Sequence, residues 1–339
     1  MERLAFSYGR SAESYDVMIS SGSCLWTPDG NGVLSVLSQG KYWHIPGGIL
    51  APPEDRTRIV EQLKNVAREN RVTILLFCVG PEEVGMFHNA GYEVSKIGEE
   101  PVLDLGRIDW KGKEFEWIRR QTSYCRRHGL EVVELVDPAE RTAVADELMG
   151  VLHEDLQGRT YTHPLRLLEG EFDPHRLYRR RLFLARIRET NRIAGFLACS
   201  PMEAGGAWAF ETYRKRKDAP RGTMPFLFRE VIDRMQAEGI RTISLCLVPG
   251  KGVERDPSPS SYWLVRWGLQ TWYSRLNFLF NSVGQNHFKS RFRPRYQDRY
   301  ACITPKSSPI SVLSFLSVSG GLSPHIGNTL RNLAKSMRS

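Results

Sequence analysis

A chain of 339 residues, 41% hydrophobic and 25% charged, has an ordinary globular composition and is long enough for two domains, each with its own core. The opening MERLAFSYGRSAESYD lacks the apolar stretch of a secretory leader, and no apolar run is long enough to cross a membrane. Six scattered cysteines without a CxxC pair argue against a disulfide scaffold or a thiolate zinc site, and read as free thiols in a reducing compartment.

The net charge is +9, but residues 176–299 hold 24 Lys and Arg against 10 Asp and Glu, a surplus of 14 that leaves −5 on the rest of the chain. A basic half of this kind points to an anionic partner, nucleic acid or anionic lipid.

In chain order, period-2 alternation predicts strands over 15–25 and 33–42, separated by the turn PDGNG. A helix follows over 57–70, with Ile59, Val60, Leu63 and Val66 on one face, and VTILLFCV at 72–79 is a buried strand. A short helix at 81–90 closes on Gly91. Strands are expected at 92–97 and 102–105, a long helix at 113–128 and a strand at 130–135. The pattern restarts at Asp137-Pro138, with helix over 139–156, a hairpin from 182–187 and 193–200, and a strand at 207–213. After the turn RKRKDAPRG, which has five cations in nine residues, a helix runs to Gly239. A strand at 242–248, a Trp- and Tyr-rich helix at 260–276, an apolar run at 279–283 and HFKSRFRPRYQDRYACI complete the second unit. The alternating order predicts an α/β (α+β) fold in two units, 1–137 and 138–304, followed by a tail over 305–339.

The segment 207–239 is the focus of the second unit. Gly222 or Thr223 caps its helix and Pro225 sits in the first turn. A helix N-terminus behind a cationic turn suits a phosphate or a developing oxyanion, although a solvated charge run joining strand to helix has the same sequence.

Four stretches, in order, resemble a known family. They are KIGEEPVLDL (96–105), the segment from Phe210 through ETYR to RGTMPFLF, ISLCLVP (243–249) and HFKSRFRPRYQDRY (287–300). Together they resemble the C-terminal catalytic domain of bacterial phosphatidylglycerol lysyltransferases of the multiple peptide resistance type. Glu211 stands where that family usually has Asp, Pro225 stands where it often has Asp, and ISLCLVP lacks the family's Gly-Met-Ala. The membrane flippase domain that usually precedes this module is expected to be missing.

The resemblance implies two tandem GNAT-like acyltransferase domains with mixed central sheets flanked by helices, the second carrying the active site. It implies an aminoacyltransferase that moves lysine or another amino acid from charged tRNA to a hydroxyl of a polar lipid, with phosphatidylglycerol the first expectation. Aminoacyl-tRNA is then the co-substrate, and no metal or other cofactor is called for. The partners are aminoacyl-tRNA and an anionic phospholipid or membrane surface, and the location is cytoplasmic, peripheral to the inner face of the membrane. Transfer to a peptide or cell-wall precursor, and a non-catalytic RNA- or membrane-binding role, are the alternatives.

Carried onto this chain, the resemblance marks Glu211 as the acidic group that binds the amino acid's ammonium or orients the acceptor, and Arg214 as its partner. Gly222, Thr223 and Met224 form the turn and helix start of the substrate site. Lys289, Arg291, Arg299 and Tyr300 belong to a basic, aromatic stretch that would contact phosphates and stack an unpaired base; a basic edge strand with a packed aromatic face is the structural alternative. Glu99 and Glu100 read as structural. Arg179–Arg181, Arg186 and Arg188 either extend a binding surface or form a solvated face. In the tail, Ile310, Leu313, Leu316, Leu330 and Leu333 fit short amphipathic helices on an anionic membrane.

Overall fold

The computed structural model describes residues 1–18, 22–256 and 261–336. Its strands are β1 (Ser23–Trp26), β2 (Val33–Gln39), β3 (Tyr42–Ile45), β4 (Thr73–Val79), β5 (Glu93–Asp104), β6 (Leu130–Glu134), β7 (Arg181–Ile187), β8 (Arg192–Met202), β9 (Ala207–Lys215), β10 (Thr242–Ser244), β11 (Val248–Pro249) and β12 (Arg295–Thr304). They form one mixed sheet in the order β1-β2-β3-β4-β12-β5-β10-β9-β8-β7-β6, with β11 paired to β5. The expected α/β architecture, mixed strands flanked by helices, is what the chain adopts.

Sheet position explains the sequence patterns. The unbroken apolar run of β4 is buried on both faces: Ile74 and Leu76 pack under helix Pro53–Glu69, while Leu75 and Phe77 enter the opposite cluster. β12 lies antiparallel between β4 and β5 and divides its side chains the same way, Tyr300 and Cys302 to one face, Ala301 and Ile303 to the other. The stretch read as binding surface or basic edge strand is therefore a helix end followed by a central strand. At the other end of the sheet, helix Thr223–Ala237 buries Phe226, Leu227, Phe228, Val231 and Met235 over β7–β9. Helix Ala145–Gln157 covers the reverse face with Leu148, Val151 and Leu152.

Four local expectations are corrected. Residues 15–18, expected to open a strand, instead end a 3-10 turn (Ala12–Met18), where Ser11 and Ser14 make local bonds that compete with a ladder. The predicted strands at 92–97 and 102–105 are a single strand, β5: Pro101 lacks a donor, but its carbonyl accepts from Leu245 N at 2.9 Å. The helix predicted over 139–156 is two, Pro138–Ala143 and Ala145–Gln157. The strand predicted at 242–248 is interrupted between β10 and β11, where Cys246 has φ +63°. The Trp-rich helix is described from Trp263 to Ser274, and its predicted start at Ser260 lies outside the described residues. No helix among the described residues is long and apolar enough to cross a membrane.

Candidate functional site

The site arises where two parallel strands part. β9 and β10 pair only over Ala207–Ala209 and Thr242–Ser244. Beyond that point β9 continues and β10 stops, leaving a cavity of about 360 Å³ with Glu211, Tyr213 and Arg214 on one wall and Cys246 and Leu247 on the other.

A β-bulge gives the β9 wall its chemistry. Phe210 pairs with Cys199 and Thr212 with Ala198, so Glu211 is the extra residue with no partner in the register. Three residues apart on a regular strand, Glu211 and Arg214 would face opposite ways; the bulge turns both toward the cavity. Glu211 is buried, accepts a hydrogen bond from the Ser200 hydroxyl, and lies 3.5 Å from Arg180 Nη1. Arg180 belongs to the Arg179–Arg181 run, which in sequence reads as a binding surface or a solvated face, yet it is 1% exposed. Its neighbour Arg181 pairs with Glu134 and Glu238, and Arg188 pairs with Glu131.

Arg214 has other partners than Glu211. Its guanidinium is 3.4 Å from Glu169 and 3.5 Å from Asp155, while Arg159 reaches the same two carboxylates at 2.9 and 2.5 Å. Burial lowers the Arg214 pKa. Burial works to raise the Glu169 pKa, but Arg214 and Arg159 outweigh it and hold the carboxyl below its ordinary value.

Lys289 closes the opposite side. It lies in the last turn of helix Ser282–Ser290, whose start is capped by Asn281 accepting from Gly284 N at 2.9 Å. The Lys289 ammonium is 2% exposed and donates to Cys246 O at 3.0 Å and Leu247 O at 3.2 Å, serving the carbonyls freed by the break between β10 and β11. Burial lowers its pKa. Two of its three N–H donors are thereby used, leaving one for a group in the cavity.

The 3-10 turn adds two acids, Asp16 from the stretch expected as a strand and Glu13 just before it. Glu13 lines the cavity, and Asp16 is buried behind it. Their i, i+3 spacing sets both on one side of the turn. Burial, and then Glu100, raise the Glu13 pKa; burial, followed by Glu211 and Glu13, pushes Asp16 well above the carboxylate range. Oδ1 of Asp16 has no hydrogen-bond partner. The cavity is thus walled by three cations, Arg159, Arg214 and Lys289, and three acids, Glu13, Glu169 and Glu211. The clue in sequence to the missed residues was the acidic and serine-rich SAESYD, which suits a turn better than a strand.

Of the residues marked from sequence, Glu211, Arg214 and Lys289 come together here. Arg291 follows the same helix but turns away, 3.0 Å from His287 and over the Trp117 ring. Arg299 is buried in the sheet against Glu100, and the Tyr300 hydroxyl reaches Asp298 at 3.3 Å. Gly222 takes φ +88° at the start of its helix, Thr223 donates to Pro220 O at 2.7 Å, and Met224 is half-buried against the core; all three lie outside this cavity. Phe288 and Phe292 pack on Phe228 at ring separations of 5.2 and 5.4 Å, so these two aromatics serve the core rather than a stacking surface.

Comparison with known proteins gives the following. The family model described as "Phosphatidylglycerol lysyltransferase, C-terminal" matches residues 2–303. A phosphatidylglycerol lysyltransferase of Bacillus subtilis (strain 168) is 24% identical over 309 residues, 91% of this chain and 35% of the relative. This chain therefore spans about a third of the length of that curated relative. The C-terminal domain of a putative lysylphosphatidylglycerol synthetase from Agrobacterium fabrum superposes with a TM-score of 0.76 at 21% identity, covering 96% of this chain and 97% of that one. The structure of L-PGS from Bacillus licheniformis gives 0.77 at 19% identity, with 94% of each chain covered.

Proposed function

The chain belongs to the phosphatidylglycerol lysyltransferase C-terminal family, and on that premise we propose that it transfers an amino acid from charged tRNA to a hydroxyl of a polar lipid, phosphatidylglycerol first. The observation that carries this reading is the convergence of Glu211, Arg214 and Lys289 on one cavity between the diverging strands β9 and β10.

The proposed chemistry is acyl exchange between two oxygens. The lipid hydroxyl oxygen bonds to the ester carbonyl carbon, the bond from that carbon to the ribose oxygen breaks, and the proton lost by the lipid hydroxyl ends on the ribose. The step balances with no redox cofactor and no metal. The ester is already activated, so positioning and charge stabilisation are the main demands. The remaining N–H of Lys289 suits the oxyanion of the tetrahedral intermediate. Glu211, held by Ser200 and Arg180, suits the α-ammonium of the amino acid. Glu13, its carboxyl raised by burial and by Glu100, suits the proton transfer between the two hydroxyls. Arg159, Glu169 and Arg214 keep the wall rigid through their mutual pairing.

The test uses a mixture of tRNAs charged with labelled amino acids, total bacterial lipid and the purified chain. Label that appears in the chloroform-extractable fraction and is lost after RNase treatment is the expected result, and chromatography of the product identifies acceptor and amino acid. Absence of label from lipid, with label entering a peptide precursor instead, would overturn the lipid assignment.

A further inference from the structure

Two helices near the end of the chain bury polar residues and leave apolar ones exposed, and a third, Trp-rich helix beside them exposes two of its indoles. Helix Pro309–Val318 buries Ser311 and Ser314, 4% and 6% exposed, while Ile310 and Leu313 stand 59% and 53% exposed. Ser314 is held by His44 at 3.0 Å and by Gln39 at 3.0 Å. Helix Ile326–Ser336 repeats the arrangement. Asn328, 6% exposed, donates to Gln157 O at 3.0 Å and Arg159 O at 2.7 Å, whereas Ile326 and Leu330 are 75% and 60% exposed. Helix Trp263–Ser274 turns Trp263 and Trp267, 61% and 58% exposed, outward on adjacent turns. A surface helix in water ordinarily does the reverse.

The three helices share a layer. Leu269 of helix Trp263–Ser274 and Phe315 and Val318 of helix Pro309–Val318 pack on one cluster, which meets a neighbouring cluster holding Trp272 through Leu168. The tail helix joins that layer at Thr160, whose hydroxyl donates to Phe278 O at 2.9 Å and accepts from Asn332 at 3.0 Å. Phe278 and Asn332 also line the cavity, so the tail helix stands at its edge.

We propose that this layer docks on an anionic phospholipid bilayer, with Trp263, Trp267, Ile310, Leu313, Ile326 and Leu330 entering the interface and the cavity mouth held over the headgroups. The described side chains of the three helices include Arg266 and Arg331 and no Asp or Glu, which complements anionic headgroups. Two copies of the same face would set cations against cations. Exposed Trp beside aliphatic side chains suits the boundary between headgroups and acyl chains. The proposal rests on the lipid-acceptor reading for its biological sense, but its geometry stands apart from the chemistry.

The experiment compares the whole chain with W263S/W267S and I326S/L330S. Co-sedimentation is measured with phosphatidylcholine vesicles, with and without phosphatidylglycerol, and Trp fluorescence with vesicles bearing brominated acyl chains. The unaltered chain is expected to bind vesicles containing phosphatidylglycerol more tightly and to be quenched by the brominated chains. Each double variant should lose at least about ten-fold in partitioning. Unchanged partitioning in both variants, or no quenching of the unaltered chain, overturns the proposal. So does a change from dimer to monomer in the variants with vesicle binding intact, which would assign the face to a second copy. Transfer to a dispersed short-chain phosphatidylglycerol, measured in parallel, separates the two readings. Variants that lose vesicle binding but keep this transfer support docking, while vesicle binding through this face with no transfer by any form upholds docking and removes the transferase reading.

Discussion

Replacing Lys289 by Met tests the site most directly, because the two side chains are similar in length and differ in charge and donors. The substitution strips Cys246 O and Leu247 O of the donor that reaches them at 3.0 and 3.2 Å. Leaving two buried carbonyls without it costs about 2–4 kcal/mol, and no longer burying an ammonium, whose pKa burial already lowers, returns part of that. A net loss of about 1–2 kcal/mol is expected from urea denaturation, well short of unfolding a domain of ordinary stability. The effect on transfer should be far larger. Removing one oxyanion donor typically lowers kcat about 100- to 1,000-fold, and K289M should fall by that much with a smaller change in KM. The assay is initial-rate transfer of label into lipid, under conditions where denaturation curves show the variant folded. Retention of kcat within about three-fold of the unaltered chain would refute a role for Lys289 beyond bracing the strand break.

Gly170 faces Glu211 so closely that a Cβ there would fall well under 3.0 Å from the carboxylate; G170A should displace Glu211 and raise KM or lower kcat, at a stability cost of about 1–3 kcal/mol seen in thermal melts. The buried pair of Arg299 and Glu100 predicts that R299M loses about 3–5 kcal/mol in urea titration and that R299M/E100Q regains much of it, since the second change removes the stranded charge. His44, 1% exposed, has its pKa lowered by burial from 6.5 to about 4. Above pH 6.5 the ring is neutral in both states; as pH falls from 6.5 towards 4 only the unfolded chain takes the proton, so up to about 3 kcal/mol of stability is lost over that window. Paired melts of the unaltered chain and H44Q across pH 4–7 should show the shallower decline in the variant, and parallel curves would contradict this assignment.

Much of the architecture could be read along the chain because its causes are local. VTILLFCV reads as a buried strand and the apolar spacing of Phe226, Leu227, Val231 and Met235 ending at Gly239 as a helix, and both form as expected. Glu211 and Lys289 were identified through motif resemblance, without any view of what stood opposite them. Tertiary structure decided their surroundings. Glu211 and Arg214 share a cavity because a bulge against β8 shifts the alternation, and each takes a different partner, Arg180 for one and Glu169 with Asp155 for the other.

The same division separates the residues that were misread. Arg180 looks like its neighbours Arg179 and Arg181 in sequence, and the carbonyls of Glu171, Arg176 and Leu177 together with Glu211 of β9 make it one of the most buried side chains. Basic residues alternating with aromatics fit an exposed ribbon, but β12 is inserted between β4 and β5, so Arg299 pairs with Glu100 inside the sheet. By itself the sequence determined the class of most elements, the concentration of positive charge and the family. Which charges meet depends on strand order, on one extra residue in a ladder and on where two parallel strands separate, and these are set by contacts between residues far apart in the chain, which periodicity and local propensity do not encode.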